Sequence, residues 1–401
     1  MISNEQLKTL LADVEPEVRA FRRWFHENPE LSGKEERTSS KIVEIIESCG
    51  LPWERVGDYG IIARIEGGFE GKTVVLRADM DALPVKESET NLKNTKVCIS
   101  KTEGVSHACG HDAHMAMMLG AIMVLNRLKA QLHGRVLVVF EQAEELGQGV
   151  MAMLEALKQY PVDTCYATHV YAGLETGKLC VQPGERMASL TAFSVRVKGK
   201  GGHASRPDLT VNPLMCIANI LVNLNSIWTG EVDPTKTVTL GIGMINGGNK
   251  GNVIPDEGIF SGTMRYFDVG EGKKAFEAVK RVCELVAEAH HCTVTYDKIL
   301  QSDCTVMNDA GCSERAAESI RNLLGDDVLS VCEPWFATES MGMYLMDYPG
   351  VLAFLGIRDE ENGYGAGHHT KEFDLDEAVL IRGCGAAVAY AVDTLEHEER
   401  K

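Results

Sequence analysis

The stretch "GERMASLTAFSVRVKGKGGHAS", residues 184–205, is where the pattern of the chain changes. Residues 191–198 alternate apolar and polar, the period of a strand with one buried face. A glycine-rich loop follows, then a helical pattern at 212–227. Strand patterns at 236–245 and 257–267, a helix at 271–290 and a strand at 292–299 complete the run. The order β-α-β-β-α-β is the ferredoxin-like split unit, which closes on itself. Residues 188–303 therefore read as an inserted α+β domain.

On either side the texture differs. Helical patterns near 5–27 and 35–49 precede a strand pair near 59–66 and 73–79. A helix at 112–130, the strand "RVLVVF" at 135–140, a helix at 149–159 and the strand "DTCYATHV" at 163–170 follow. After the insertion the same texture resumes, with a helix at 312–324, the strand "VLAFLGIR" at 351–358 and a long helix at 374–396. Strands this short and apolar are buried on both faces, as in a parallel sheet covered by helices. The expected fold class is α/β: a mostly parallel-sheet domain from residues 1–187 and 304–401, interrupted by the insertion.

Composition agrees with two domains. The chain has 401 residues, 44% of them hydrophobic, too many for one ordinary core. A net charge of −18 without a long Lys/Arg cluster argues against nucleic acid or an anionic membrane as partner. The N-terminal stretch is an acidic amphipathic helix pattern, without the basic and apolar regions of a secretion signal. Twelve cysteines are scattered with no C-x-x-C pair. We read them as reduced thiols in a cytoplasmic protein.

Chemistry concentrates in five places. "SHACGHDAHMAMM", residues 106–118, crowds His107, Cys109, His111, Asp112 and His114 ahead of an apolar helix. Cys109 and His111 offer a thiolate and an imidazole, borderline-soft donors for Zn, Mn, Co or Ni. Asp112 is positioned to cap the helix, with His107 and His114 as outer support. "VVFEQAEE", residues 138–145, presents Glu141, Glu144 and Glu145 where a strand ends; adjacent carboxylates repel and call for a cation. His169 ends the strand "YATHV". His368 and His369 lie in "GAGHHTKEFDLDEA", residues 365–378. Asp79 and Asp81 end the strand of "VVLRADMDALP", residues 74–84, where a carboxylate can orient a metal-bound histidine. Each stretch alone has a bland reading as a turn or a packed residue. Together they fall at strand ends or in the loops beyond, and in an open parallel sheet those loops meet along the carboxyl edge, where ligands bind.

The stretches "RADMDALP", "HACGHDAH", "AEE", "THV", "GKGGHAS", "NVIPD", "GTMR" and "HHTKEFDLDEA" run from residue 77 to 378. With them the chain resembles the di-metal amidohydrolases and carboxypeptidases, a family that includes auxin-conjugate hydrolases, hippurate hydrolase and N-acyl-amino-acid deacylases. The resemblance implies two divalent metal ions per subunit. Cys109, His111, Glu145, His169 and His369 match its ligands, with His368 ranked below its neighbour. Glu144 matches its general base and Asp81 its orienting aspartate. His203, in the "GGHAS" loop, matches an oxyanion donor, and Asn252 and Arg265 match positions that approach the substrate carboxylate. The implied inserted domain is a lid that also makes a homodimer, its histidine often serving the partner's site. The implied activity is cleavage of N-acyl amino acids by a metal-activated water, with a dipeptidase or carboxypeptidase, or a non-catalytic metal-stabilised binding protein, as alternatives. Two departures stand out: Lys371 where the family often has proline, and Glu141-Gln142 where it often has Gln-Pro.

Overall fold

The computed structural model describes residues 2–396. Contacts divide them into two compact units. The first takes in the chain up to Arg186, Met307–Glu333, and everything from Ser340 on; the second is Met187–Val306 with Pro334–Glu339.

The first unit is built on a seven-stranded sheet. Its strand order is Trp53–Val56, Gly60–Glu66, His133–Glu141, Phe69–Asp79, Thr164–Glu175, Gly350–Arg358, Leu179–Cys180. The three pairings among the four long central strands are parallel. The outer strands join antiparallel. The central strands read as Val, Leu, Ile and Phe runs because both their faces are buried, and side chains such as Val136, Val138, Phe140, Leu352 and Phe354 have no exposed surface. Strand 60–66 does not pair with 69–79 as the sequence suggested. Strand 133–141 inserts between them and pairs with both. The apolar pattern marks which segments are strands but not which are neighbours.

Helices Asn4–Glu27, His111–Leu128 and Leu380–Glu396 pack into one core with the sheet. The C-terminal helix begins at Leu380, later than expected. A 3₁₀ turn at Glu377–Val379 precedes it, and the Asp376 side chain accepts from Ala378 N–H at 2.9 Å. Among the described residues, Glu377–Glu396 is the one helical stretch long and apolar enough to cross a membrane, yet 78% of that apolar window is buried in the protein. Its hydropathy is therefore that of a core helix.

A buried ionic cluster ties the first helix to the helix that carries His111. Arg22 Nε meets Asp112 Oδ2 at 2.9 Å, and His26 Nδ1 meets the same oxygen at 2.7 Å. Burial and the neighbouring Arg22 oppose protonation of His26, but Asp112 and Glu87 outweigh them and raise its pKa. Glu87 in turn accepts from His26 Nε2 at 2.9 Å, Lys96 Nζ at 2.8 Å and Ser100 N–H at 2.7 Å.

The second unit is a four-stranded antiparallel sheet in the order Val238–Gly247, Glu257–Tyr266, Ser189–Lys198, Thr293–Gln301. Helices Pro213–Gly230 and Val269–Ala289 share its apolar core. This is the ferredoxin-like arrangement. Its helices start where the sequence punctuates them: Asn212 accepts from Leu214 N–H ahead of Pro213, and Asp268 accepts from Glu271 N–H.

Two outcomes follow. Gly350 faces Cys165 across a parallel pair, and a Cβ there would sit 2.1 Å from the Cys165 carbonyl oxygen. Gly350→Ala should cost about 2 kcal/mol or more, read by urea denaturation. Burial favours protonated Glu87, but the bonds from His26, Lys96 and Ser100 outweigh it and hold its pKa at about 2, against an ordinary 4.5. A depressed carboxylate stabilises the fold above the unfolded value and loses that stabilisation as pH falls through the folded one. Glu87→Gln should therefore destabilise the protein by about 2 kcal/mol at pH 7, with the difference from wild type shrinking between pH 4.5 and 2.

Candidate metal centre

Four strands with the segments that follow them, and one loop, build the site, all within the first unit. Strand Phe69–Asp79 delivers Asp79 and, just beyond it, Asp81. Strand His133–Glu141 ends at a turn in which Ala143 takes a left-handed φ of 51°. That turn is pinned by Glu35, whose Oε1 accepts from Ala143 N–H at 2.7 Å. It throws Glu144 and Glu145 into a short 3₁₀ turn. His169 stands inside strand Thr164–Glu175, which runs five residues past Val170 and does not end at this histidine as the sequence suggested. His369, with φ 62°, follows strand Gly350–Arg358 and is fixed by its N–H donating to Ala108 O at 2.9 Å.

Cys109 and His111 enter through Gly110, whose φ of 93° starts the helix His111–Leu128. A Cβ on Gly110 would lie 2.3 Å from Val170 Cγ2, so glycine is required on both counts. The Asp112 side chain does not cap this helix, contrary to expectation. No side chain caps it; Asp112 turns inward to Arg22 and His26, which hold its carboxyl well below the ordinary range against the cost of burial.

The hydrogen bonds decide which nitrogen each histidine offers. His114 Nε2 accepts from Val170 N–H at 3.0 Å, so its Nδ1–H donates to Asp79 Oδ1 at 2.6 Å. Both nitrogens are thereby spent inside the protein. His111 Nδ1 meets Asp81 Oδ1 at 3.1 Å, and its Nε2 is buried with no hydrogen-bond partner. His169 Nδ1–H donates to Val170 O at 2.7 Å, which leaves the Nε2 lone pair 3.7 Å from Cys109 Sγ. Burial and the nearby His114 and His368 keep His169 neutral, with its pKa well below the ordinary value. His368 is half-buried, accepts from Ala172 N–H at 3.2 Å, and is pushed down to about 3 by desolvation and by His369. His369 is half exposed, with Nε2 3.2 Å from Glu145 Oε1. His107 has no hydrogen-bond partner on either ring nitrogen, so it supports its neighbours by packing and not by orienting them.

The donor atoms converge in four overlapping groups, each within 4.8 Å: Cys109, His111 and His169; Cys109, Glu145 and His369; His111, Glu144 and Glu145; Asp79, His111 and His114. The first three groups fit a divalent cation; in the fourth, His114 already commits both nitrogens to Val170 and Asp79. Burial, and after it Glu145, push the Cys109 thiol well above its ordinary value; a cation would reverse that by drawing the sulfur to thiolate. His111 Nε2, orphaned and aimed at this point, is the atom such an ion would satisfy.

Glu141 proves distinct from the other two glutamates. It is fully buried, with Oε2 3.1 Å from Arg77 Nε and accepting from Tyr344 OH at 2.8 Å. Ser340 links this pair to the site. Its Oγ accepts from Arg77 Nη2 at 2.7 Å and donates to Glu141 Oε1 at 2.8 Å, while its N–H donates to Glu144 Oε1 at 2.9 Å. Glu35, Arg77 and Ser340 were not anticipated; they come from separate parts of the chain with no spacing to betray them. The departures are absorbed locally. Gln142 Oε1 accepts from Gly60 N–H at 3.0 Å, and Lys371 O accepts from Ser88 N–H at 2.9 Å.

His203, Asn252 and Arg265 lie in the second unit. His203 is on a two-residue strand paired with Val253–Ile254, and Ala204 N–H donates to Asn252 O at 3.0 Å, so those two are neighbours. His203 Nδ1 meets Ser205 Oγ at 2.7 Å. Arg265 stands near the other end of strand Glu257–Tyr266, its Nη1 donating to Thr338 Oγ1 at 2.7 Å. At ~3.3 Å per residue, the strand separates it from the His203 loop by roughly 25 Å.

Comparison with known proteins agrees with this geometry. The family model for peptidase family M20/M25/M40 matches residues 75–393. Thermostable carboxypeptidase 2 of Saccharolobus solfataricus is 34% identical over 395 residues, 97% of this chain and 98% of that protein. An N-acyl-L-amino acid amidohydrolase of Geobacillus stearothermophilus is 36% identical over 291 residues, 72% of this chain and 77% of its own. The crystal structure of a dinuclear metal-binding M20 peptidase of Bacillus subtilis superposes with a TM-score of 0.80 at 29% identity, covering 96% of this chain and 99% of that one. The chain belongs to peptidase family M20/M25/M40 and is a metal-dependent hydrolase of linear amide bonds.

Proposed function

We propose that the protein cleaves the amide bond of N-acyl amino acids, with Glu144 as general base. Cys109, His111, Glu145, His169 and His369 hold two divalent ions, of Zn, Mn, Co or Ni. The observation that carries this reading is the convergence of these donors beside a glutamate held by a separate hydrogen bond, from Ser340 N–H to Glu144 Oε1. When bound, the ions supply a water acidified toward neutral pH and a Lewis acid for the amide carbonyl.

The protein's own groups do the rest. Glu144 accepts the proton of the attacking water and returns it to the leaving amine nitrogen. Ser340 N–H restrains that carboxylate, and the Arg77–Glu141 pair behind Ser340 restrains Ser340 in turn. Asp81 orients His111 through Nδ1, and keeps the other nitrogen directed inward. His203 donates to the developing oxyanion. Asn252 and Arg265 approach the substrate carboxylate, where a guanidinium can make a bidentate contact.

The strand that parts Arg265 from the His203 loop prevents the two from gripping one small molecule within a single second unit. This favours a homodimer in which His203 and its neighbour Asn252 serve the partner's site, with residues 188–303 as the lid and dimerising domain. Twelve free cysteines suit a cytoplasmic setting. A carboxypeptidase reading, the same chemistry on a peptide, is favoured by the full-length likeness to the Saccharolobus enzyme.

A panel of N-acetyl and longer N-acyl amino acids, set against blocked dipeptides, separates the two readings by kcat/KM. Faster release from the dipeptides would replace the first reading with the second. Glu144→Gln should lower kcat by about a thousandfold while metal content, read by mass spectrometry, stays at the wild-type level; turnover at the wild-type rate would remove Glu144 as the base. Stripping the metal with a chelator should abolish turnover and lower the melting temperature, and readdition should restore both.

A further inference from the structure

The first unit holds a second cluster of reactive side chains, at the edge of its sheet. Strand Leu179–Cys180 pairs with Gly350–Arg358, and Cys180 lies opposite Phe354. Residues 329–333 run alongside: Leu179 and Leu329 form a parallel bridge, and Ser330 N–H donates to Leu179 O at 2.8 Å. This brings Cys332 to Cys180: the Cys332 N–H and the Cys180 thiol share one acceptor, Gln182 Oε1.

Gln182 and Arg186 clamp the pair. Cys332 N–H donates to Gln182 Oε1 at 2.9 Å, and Arg186 Nη1 donates to Cys332 O at 3.1 Å and to Gln182 Oε1 at 3.2 Å. The same Nη1 lies 3.7 Å from Cys180 Sγ. A neutral Cys180 donates to Gln182 Oε1 at 3.2 Å; once the proton leaves, the guanidinium and the Cys332 thiol stabilise the anion. Cys180 is buried and Cys332 partly exposed, so the pair is reached from the Cys332 side.

Nothing else among the described residues combines these features. Cys180 is the one cysteine whose pKa is lowered, to about 6, by the Cys332 thiol and then by Gln182 N–H and Arg186, against its own burial. Cys216 and Cys292 lie in one apolar core in the second unit. No cation figures among the groups acting on them, and burial pushes both up. They serve as an internal comparison: a thiol pair without the guanidinium.

We propose that Cys180 and Cys332 form a modification site for small hydroperoxides, a dithiol that closes to a disulfide and staples residues 329–333 to the edge strand. The Cys180 thiolate attacks one peroxide oxygen. The O–O bond breaks, and the other oxygen takes a proton and leaves as alcohol or water. Cys180 is now a sulfenic acid. Cys332 sulfur gives up its proton and attacks the sulfenic sulfur; the S–S bond forms, the S–O bond breaks and water leaves. Two thiols and one hydroperoxide become one disulfide, one alcohol (or water) and one further water, two electrons passing from sulfur to oxygen. The bond anchors the chain two residues before Pro334–Glu339, the stretch that packs in the second unit.

The test treats the full-length metal-loaded protein with hydrogen peroxide and maps peptides without reduction. A Cys180–Cys332 linked peptide should form before any other and vanish with dithiothreitol, while Cys216 and Cys292 stay reduced. In Cys332→Ser, dimedone should trap sulfenic acid at Cys180 about tenfold above Cys216. Arg186→Gln should slow both reactions. A different disulfide formed first, or none at peroxide levels that oxidise exposed methionines, overturns the proposal. So does Cys332→Ser with Cys180 unlabelled.

Discussion

Buried carboxylates cannot remain charged without donors, and that constraint organises the metal centre. Asp79 and Asp81 sit at the end of a strand with almost no exposed surface. Each takes a histidine from the same helix: Asp79 takes His114 and Asp81 takes His111. Burial disfavours both anions, and the imidazoles, with Arg77 behind Asp79, more than offset it. One consequence reaches the chemistry directly. With Nδ1 committed to Asp81, His111 can present only Nε2 to its surroundings, and that nitrogen is the orphan at the point where the other donors meet.

The helix bearing both histidines must itself be aimed. Its first turn has no side-chain cap, so its direction comes from elsewhere. Asp112 is drawn to Arg22 and His26 of the first helix, and Gly110 lets the chain turn into the helix against Val170. Losing one partner of such a cluster would strand a charge in the interior. The price of burying these ions is met by the definite geometry they impose on the loop that carries Cys109 and His111.

A second layer lies beneath the glutamates. Arg77, Glu141 and Ser340 come from two neighbouring strands and a distant segment, and meet where no solvent reaches. The Ser340 N–H reaches Glu144. Glu141, three residues ahead of Glu144 in the chain, thus acts on it by way of a residue nearly two hundred positions on. Neighbours in sequence with the same side chain do quite different things, because strand and turn point them to opposite sides.

Much of this was legible in the sequence. Alternation marked the strands of the second unit, and unbroken apolar runs marked those of the first, because a side chain's surroundings set its polarity. Residues such as Cys109, His169 and His369 stood out because metal-type donors beside apolar segments need a reason. The partners did not stand out. Neither the insertion of strand 133–141 between 60–66 and 69–79 nor the roles of Glu35, Arg22 and Ser340 leaves a periodic trace. What the sequence determined by itself was which segments are buried, where they turn, and which residue types stand at their ends, since these depend on local polarity and backbone preference. What only the tertiary structure decided was who meets whom: strand order, the tautomer of each histidine, and the separation of Arg265 from the His203 loop. Those depend on distances between residues far apart in the chain, which no local pattern encodes.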